Sequence, residues 1–157
     1  ITMNPSTKLF YVEVQEPDMH DPSGDLERLV NALKIEWNLQ DVTANLDVLK
    51  ILQKTLRKGG WTVTCAIYLG DNVFPPRIVK IWPGFYEGSI FGLAVDIGST
   101  TIAAHLCDLR NGDVLASSGV MNPQIRYGED LMSRVSYSMM NKNGAEEMTL
   151  AVREGLN

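Results

Sequence analysis

Apolar residues in the first half of the chain recur at helical spacing in two places. They return every three or four positions at 26–37 and again at 46–58, which predicts two amphipathic helices. Ser23 or Asp25 is expected to cap the first helix, and Gly59 stops the second. The apolar stripe predicted for the second helix consists of Leu46, Leu49, Leu52 and Leu56.

Three other segments of the first half are short and rich in β-branched and aromatic residues. They lie at 9–14, 61–69 and 77–82, and the last two flank a turn at 70–72, which predicts a hairpin. The predicted order is β-α-α-β-β, a small α+β module. Nothing in its sequence indicates chemistry, so it could serve only for packing or dimerisation.

The pattern changes near residue 90, after a segment at 83–88 that resembles a linker. Residues 91–97 form a nearly continuous apolar run broken by Gly92 and Asp96, which predicts a buried strand. An Arg-Asn-Gly-Asp turn at 110–113 then favours a second hairpin. The elements predicted here are an antiparallel meander of strands at 91–97, 101–109 and 114–120, and helices at 129–140 and 145–156.

Charge excludes one large class of partners. The 157 residues carry 14 basic and 19 acidic side chains, a net charge of −5. Residues 1–90 hold nine basic and eleven acidic groups, and residues 91–157 hold five and eight. Neither part has the positive field that binding to a phosphate backbone needs, so no nucleic-acid partner is expected.

Cysteine and histidine are too sparse for a metal cluster. Cys65 and Cys107 cannot alone make a disulfide framework or hold an iron–sulfur cluster. His20 and His105 are not in a metal-site spacing. We expect His105 and Cys107, which alternate on one strand, to be a buried and inert pair.

No segment of the chain predicts a membrane association. The most apolar window, residues 89–107, is interrupted by Asp96 and several hydroxyl residues, so it favours paired strands over a spanning helix. The first residues, Ile-Thr-Met-Asn-Pro, lack the pattern of a signal peptide. We therefore expect a cytoplasmic protein, and the start without methionine favours a fragment of a longer chain.

The segment 96–101, Asp-Ile-Gly-Ser-Thr-Thr, carries the clearest chemical signal. Gly98 would let the backbone approach a ligand, and consecutive amides in such a turn can bind an anion. Asp96 lies among apolar neighbours, where a carboxylate needs a partner such as hydrated Mg²⁺. The further phosphate donors would be the hydroxyl groups of Ser99, Thr100 and Thr101. An alternative is a plain β-turn in which the aspartate bonds its own backbone, and the hexapeptide alone leaves both open.

Other polar residues of the second half suit structural roles. Glu129 and Asp130 stand at a helix start, which favours capping over catalysis. Asn122 and Gln124 could face a cleft or stabilise their own loop. Arg134 could serve a phosphate or a partner, although an exposed or helix-pairing arginine is more common.

The order of these motifs resembles the first phosphate-binding hairpin of the ASKHA superfamily, which includes acetate and sugar kinases and actin. Within it, the chain is similar to the reductive activators of corrinoid proteins. Their ATPase domain typically opens with Asp-Ile-Gly-Thr-Thr-Thr and continues with Asn-Pro-Gln, Tyr-Gly and Ser-Arg. Ser99 departs from that pattern but keeps the hydroxyl. The matching residues are Asn122-Pro123-Gln124, Tyr127-Gly128, Asp130 and Ser133-Arg134.

The resemblance implies a domain organisation and a function. Residues 1–88 would be the linker and middle domain, and residues 89–157 the N-terminal part of an ASKHA, ribonuclease H-like ATPase domain. The full-length protein would add an N-terminal ferredoxin domain with a 2Fe–2S cluster, which this chain lacks. It would use ATP to reduce Co(II) corrinoid to Co(I) in a methyltransferase system, as a homodimer that acts on a corrinoid protein or a corrinoid-dependent methyltransferase.

The resemblance also implies the site. Gly98, Ser99, Thr100 and Thr101 would bind ATP phosphate, and Asp96 would hold Mg²⁺ through water. The second lobe of the nucleotide site would lie beyond residue 157, so this piece should not turn over ATP alone. No catalytic residue is assigned.

Two other functions are also compatible with the sequence. One is a different ASKHA activity, either the activator of a 2-hydroxyacyl-CoA dehydratase or a small-molecule kinase. The other is a non-catalytic interaction module with residues 8–82 as a dimer interface.

Overall fold

The computed structural model describes residues 3–71 and 73–157 and divides into two compact units, residues 1–90 and 91–157. Both units combine helices with an antiparallel or mixed sheet, which confirms the predicted α+β class. Asn72, part of the predicted turn at 70–72, lies outside the described residues.

The first unit packs two helices against a four-stranded sheet of order β1-β3-β4-β2. The predicted hairpin is present, because β3 pairs with β4 in antiparallel register. A strand of only two residues, β2, was not predicted; it pairs in parallel with β4. The elements are β1 Thr7–Glu13, α1 Asp25–Trp37, β2 Thr43–Ala44, α2 Leu46–Lys58, β3 Thr62–Tyr68 and β4 Arg77–Pro83.

The helix α2 has its predicted bounds but buries a different face. Val48, Leu52 and Leu56 are buried, whereas Leu46 and Leu49 of the predicted stripe are exposed. At 3.6 residues per turn, Leu46 lies about 160° around the helix from Val48. Leucines surround much of this helix, so spacing alone does not select the side that meets the sheet.

The helix α1 is capped by neither of the predicted residues. Its N-cap is Gly24, whose amide donates to Oε2 of Glu27 at 2.9 Å. The Ser23 hydroxyl instead donates to Oδ1 of Asp21 at 2.6 Å, within the loop that precedes the helix.

The second unit confirms the predicted meander. Three strands of order β5-β6-β7 pair in antiparallel register and are followed by helices. A short 3-10 helix between the sheet and the helices was not predicted. The elements are β5 Phe91–Ile97, β6 Thr101–Asp108, β7 Val114–Met121, the 3-10 helix Pro123–Tyr127, α3 Leu131–Met140 and α4 Gly144–Leu156.

The strand β5 was expected to be buried, and this is wrong. Phe91 and Leu93 are 55% and 67% exposed, and Asp96 is exposed as well. The helices cover little of the sheet, since the buried apolar side chains in the described part of this unit are Ile102 and Ala151. Apolar composition predicted the strand but not whether another element covers it.

His105 and Cys107 are not the buried pair that the sequence favoured. His105 is exposed and its Nδ1 lies 2.8 Å from Oγ of Ser117 on β7, and Cys107 is half-buried. Both lie on the face of β6 opposite to the buried Ile102, since side chains alternate along a strand. None of the helices in the described residues is long and apolar enough to cross a membrane.

Candidate phosphate-binding hairpin

The strands β5 and β6 are joined by a tight turn at Gly98–Thr101. Ile97 and Ile102 are the last residues paired across the ladder, and the Gly98 amide donates to the Thr101 carbonyl oxygen at 2.9 Å. A Cβ on Gly98 would lie 2.9 Å from that same oxygen. Glycine is therefore required here because the two backbone segments approach closely.

Three carbonyl oxygens of the turn accept hydrogen bonds from elsewhere in the second unit. The side-chain Nδ2 of Asn122 donates to Gly98 O at 2.8 Å, and the backbone amide of Asn122 donates to Thr100 O at 2.7 Å. Nη2 of Arg134 donates to Ser99 O at 2.7 Å. The turn is thus held by donors from the end of β7 and from α3.

The donor groups of the turn remain open to solvent. Ser99, Thr100 and Thr101 are exposed. Their hydroxyl groups, and the amides of Ser99 and Thr100, have no hydrogen-bond partner among residues 3–71 and 73–157. These are the groups that a phosphate would need, so the exposed turn offers suitable donors.

Asp96 stands two residues before the turn, opposite Ala103 on β6. The sequence predicted a metal partner because Asp96 was expected to be buried among apolar side chains. Asp96 is exposed, so that reason does not apply. Within the described residues its carboxylate accepts no hydrogen bond from the turn backbone and forms no ion pair. The plain β-turn in which Asp96 bonds its own backbone is therefore not observed, and the carboxylate is free for a cation.

Asn122 and Arg134 hold the turn from beneath it and are 1% and 4% exposed. The predicted loop-stabilising role of Asn122 is confirmed, since its Oδ1 also accepts from the Gln124 amide at 2.9 Å. The expectation of an exposed or helix-pairing Arg134 is wrong. Its Nε donates to Gly128 O at 2.8 Å, which anchors the guanidinium between two carbonyl oxygens.

Asp130 confirms its predicted capping role. Its carboxylate accepts the Ser133 amide at 2.7 Å at the start of α3. That hydrogen bond is the main cause that lowers the pKa of Asp130 below its usual value. The cap fixes the first turn of the helix that carries Arg134.

A cleft of about 330 Å³ opens beside the turn, between the turn, the 3-10 helix and the two helices of the second unit. Gly98 and Ser99 form part of its wall, and Arg134 and Asn122 line its base. Most of the remaining lining is apolar, from side chains such as Leu131, Val135 and Met148.

The described residues do not fit an iron–sulfur cluster. They contain no group of three or more metal-ligating side chains placed to share a metal ion. Cys65 is fully buried in the core of the first unit, where burial raises the pKa of its thiol to about 12. Cys107 belongs to the other unit.

Comparison with known proteins gives two family models that together span nearly the whole chain. The model described as RACo linker region matches residues 1–88, and that described as RACo middle region matches residues 91–157. The latter label falls on the segment expected to begin an ASKHA ATPase domain, and that assignment stays a prediction.

Two relatives are also similar. The corrinoid activation enzyme RamQ of Eubacterium limosum is 33% identical over 70 residues, which cover 45% of this chain and 12% of that protein. A solved structure described as a reductive activator for corrinoid, iron–sulfur protein is 33% identical with a TM-score of 0.82. That match covers 97% of this chain and 24% of the solved one.

The chain therefore spans a quarter or less of the length of these relatives. The family model for the linker region alone matches more than half of its residues. Together with the motif order at 96–134, these matches show that the chain belongs to the family of reductive activators of corrinoid proteins.

Proposed function

We propose that this chain supplies one wall of a nucleotide site in an ATP-dependent redox protein that reduces Co(II) corrinoid to Co(I) for a methyltransferase system. Family membership and the names of the two relatives support corrinoid activation. Neither relative is described as a dehydratase activator or a small-molecule kinase, so those alternatives have no support here.

The observation that carries the nucleotide part is the polarity of the turn at Gly98–Thr101. Its carbonyl oxygens are occupied by protein donors, while three hydroxyl groups and two amides of exposed residues have no partner in the described part of the chain. A phosphate needs donors and is repelled by carbonyl oxygens, so this turn suits a phosphate and not a cation.

Each part of the site has a role in this proposal. Ser99, Thr100 and Thr101 donate hydrogen bonds to phosphate oxygens, and Gly98 keeps side-chain bulk out of the turn. Asp96 holds Mg²⁺ through water, which offsets the repulsion between its carboxylate and the nucleotide. ATP supplies the free energy that reduction of Co(II) by an ordinary ferredoxin lacks.

The electron donor lies outside this chain in the proposal. Since Cys65 and Cys107 do not fit a cluster, a 2Fe–2S cluster would be held by a ferredoxin domain beyond residues 1–157. The partner would be a corrinoid protein or a corrinoid-dependent methyltransferase. We further propose that the intact protein is cytoplasmic and acts as a homodimer.

The test is the reduction of a Co(II) corrinoid protein by the intact activator and a low-potential electron donor, followed by visible absorbance. Reduction should require Mg–ATP and should slow about tenfold in Thr100→Ala, the effect of one hydrogen bond to a charged group. Thr149→Ala is the control, because that hydroxyl donates only to Ala145 O within α4. Reduction that is independent of ATP, or equally fast in Thr100→Ala, would contradict the proposal.

A further inference from the structure

We infer that Arg134 and Asn122 are positioning residues that fix the peptide planes of the phosphate-binding turn so that its amides point at the anion. This inference rests on the proposed function, since it concerns how the same turn binds phosphate. It assigns roles to two buried side chains that need not touch the nucleotide.

Peptide geometry links each carbonyl oxygen of the turn to the amide of the following residue. A trans peptide is planar, so its C=O and its N–H point in opposite directions. The Ser99 carbonyl shares a peptide with the Thr100 amide, and the Gly98 carbonyl shares one with the Ser99 amide. A donor that holds either carbonyl therefore also determines where the attached amide points.

The two carbonyls are held by two different side chains. Nη2 of Arg134 bonds Ser99 O at 2.7 Å, which directs the Thr100 amide away from α3. Nδ2 of Asn122 bonds Gly98 O at 2.8 Å, which directs the Ser99 amide away from the end of β7. Neither of these two amides has an acceptor in the described part of the chain.

Both residues are rigidly placed. Arg134 is 4% exposed, and its Nε is fixed by Gly128 O at 2.8 Å, so the fork of the guanidinium cannot turn away from the loop. Asn122 is 1% exposed, and its Oδ1 is fixed by the Gln124 amide. Without these donors, either peptide of the turn could rotate and present a carbonyl oxygen to the phosphate.

Charge adds to this effect at Arg134 alone. The second unit carries five basic and eight acidic residues, so it does not attract an anion by net charge. A buried guanidinium bonded to the turn places one fixed positive charge behind the amides. Lysine would keep that charge but could not span Ser99 O and Gly128 O with the same planar fork.

The experiment compares the intact wild-type protein with Arg134→Lys, with Asn122→Asp as a second variant of nearly unchanged size. Mg–ATP affinity is measured by calorimetry, and the Thr100 amide is followed by NMR in protein labelled with ¹⁵N-threonine. We expect an affinity at least tenfold weaker in each variant. We also expect Mg–ATP to shift the Thr100 amide resonance in the wild type but not in Arg134→Lys.

Tyr137→Phe is the matched control for loosening of the helices. It removes a 2.6 Å hydrogen bond from Tyr137 Oη to Glu147, between α3 and α4, without touching the turn. Its affinity should stay within twofold of the wild type, and its Thr100 resonance should still shift. An equal loss of Mg–ATP affinity in this control would show that Arg134 acts only by stabilising the helices, and it would overturn the inference.

The two proposals fail in different ways. Wild-type protein that does not bind Mg–ATP would refute the nucleotide site and the inference with it. Wild-type protein that binds Mg–ATP while Arg134→Lys and Asn122→Asp bind it equally well would refute the positioning role alone.

Discussion

At the scale of single residues, the turn depends on positions whose replacement has a defined structural cost. Gly98 is needed because a side chain there would meet Thr101 O. Asn122 makes three hydrogen bonds that involve the turn or the next loop, through its amide, Nδ2 and Oδ1. Asp130 affects the turn indirectly, since it caps the helix that carries Arg134.

The replacement Gly98→Ala should therefore destabilise the second unit. Its Cβ would lie 2.9 Å from a backbone oxygen, so the hairpin must shift, at a cost of about 1–3 kcal/mol. Gly119→Ala on β7 is the control, because an added Cβ there meets nothing closer than Ile102 O at 3.8 Å. Urea unfolding measures both, and equal midpoints for the two variants would refute the steric argument.

The cap at Asp130 should make stability depend on pH in a defined direction. Its folded-state pKa is lowered from the usual 3.8, so the unfolded chain binds the proton more tightly. The stabilisation is therefore present above that usual value and is lost as pH falls through the lower folded-state pKa.

Thermal melting of the wild type and Asp130→Asn between pH 7 and pH 3 measures this effect. Asparagine keeps an oxygen that can cap the helix but does not titrate over this range. The melting temperature of the wild type should exceed that of Asp130→Asn at pH 7, and this difference should shrink as the solution becomes acidic. A difference in melting temperature that is constant with pH would contradict the assigned role of the carboxylate.

At the scale of elements, local periodicity predicted the helices and longer strands well because it depends on neighbours in sequence. The bounds of α2 and β5 agree with the prediction. The two-residue strand β2 was missed because its pairing depends on β4, more than thirty residues further along the chain. Local periodicity also does not predict whether another element covers a strand, as the exposed side chains of β5 show.

The candidate site shows the same division between local and distant information. The motif at 96–101 was identified from its own residues. The hydrogen bonds that hold the turn were not identified in this way. Arg134 contacts Ser99 O across 35 residues, and nothing near either residue in the sequence indicates that contact. A Ser-Arg pair in a following helix was the available signal, and it came from the family resemblance.

The packing of α2 gives a prediction at this scale. Leu56 is fully buried and Leu46 is 67% exposed on the same helix. Leu56→Ala should cost about 2–5 kcal/mol of unfolding free energy, from lost burial and the cavity that remains. Leu46→Ala should cost less than about 1 kcal/mol. Similar urea midpoints for the two variants would show that the helix packs by the stripe first predicted from the sequence.

At the scale of the whole molecule, the two units differ in how much core each contains. The first has a continuous apolar core between its helices and sheet, whereas the buried apolar side chains in the described second unit are Ile102 and Ala151. The second unit nevertheless carries the turn on which the functional proposal depends. In relatives about four times as long, the matched region is one part of a larger protein.

The central claim, that the turn at Gly98–Thr101 binds the phosphates of ATP beside a magnesium ion held by Asp96, is tested most directly by calorimetric titration of the intact protein. The wild type should bind ATP more tightly with Mg²⁺ than without it, and Asp96→Asn should bind Mg–ATP at least tenfold more weakly. Asp113→Asn should behave as the wild type, because Asp113 lies in the turn after β6, beside Asp108, which is about 17 Å along the strand from the residue opposite Asp96 at 3.3 Å per residue. Mg–ATP affinity that is unchanged in Asp96→Asn would contradict the claim.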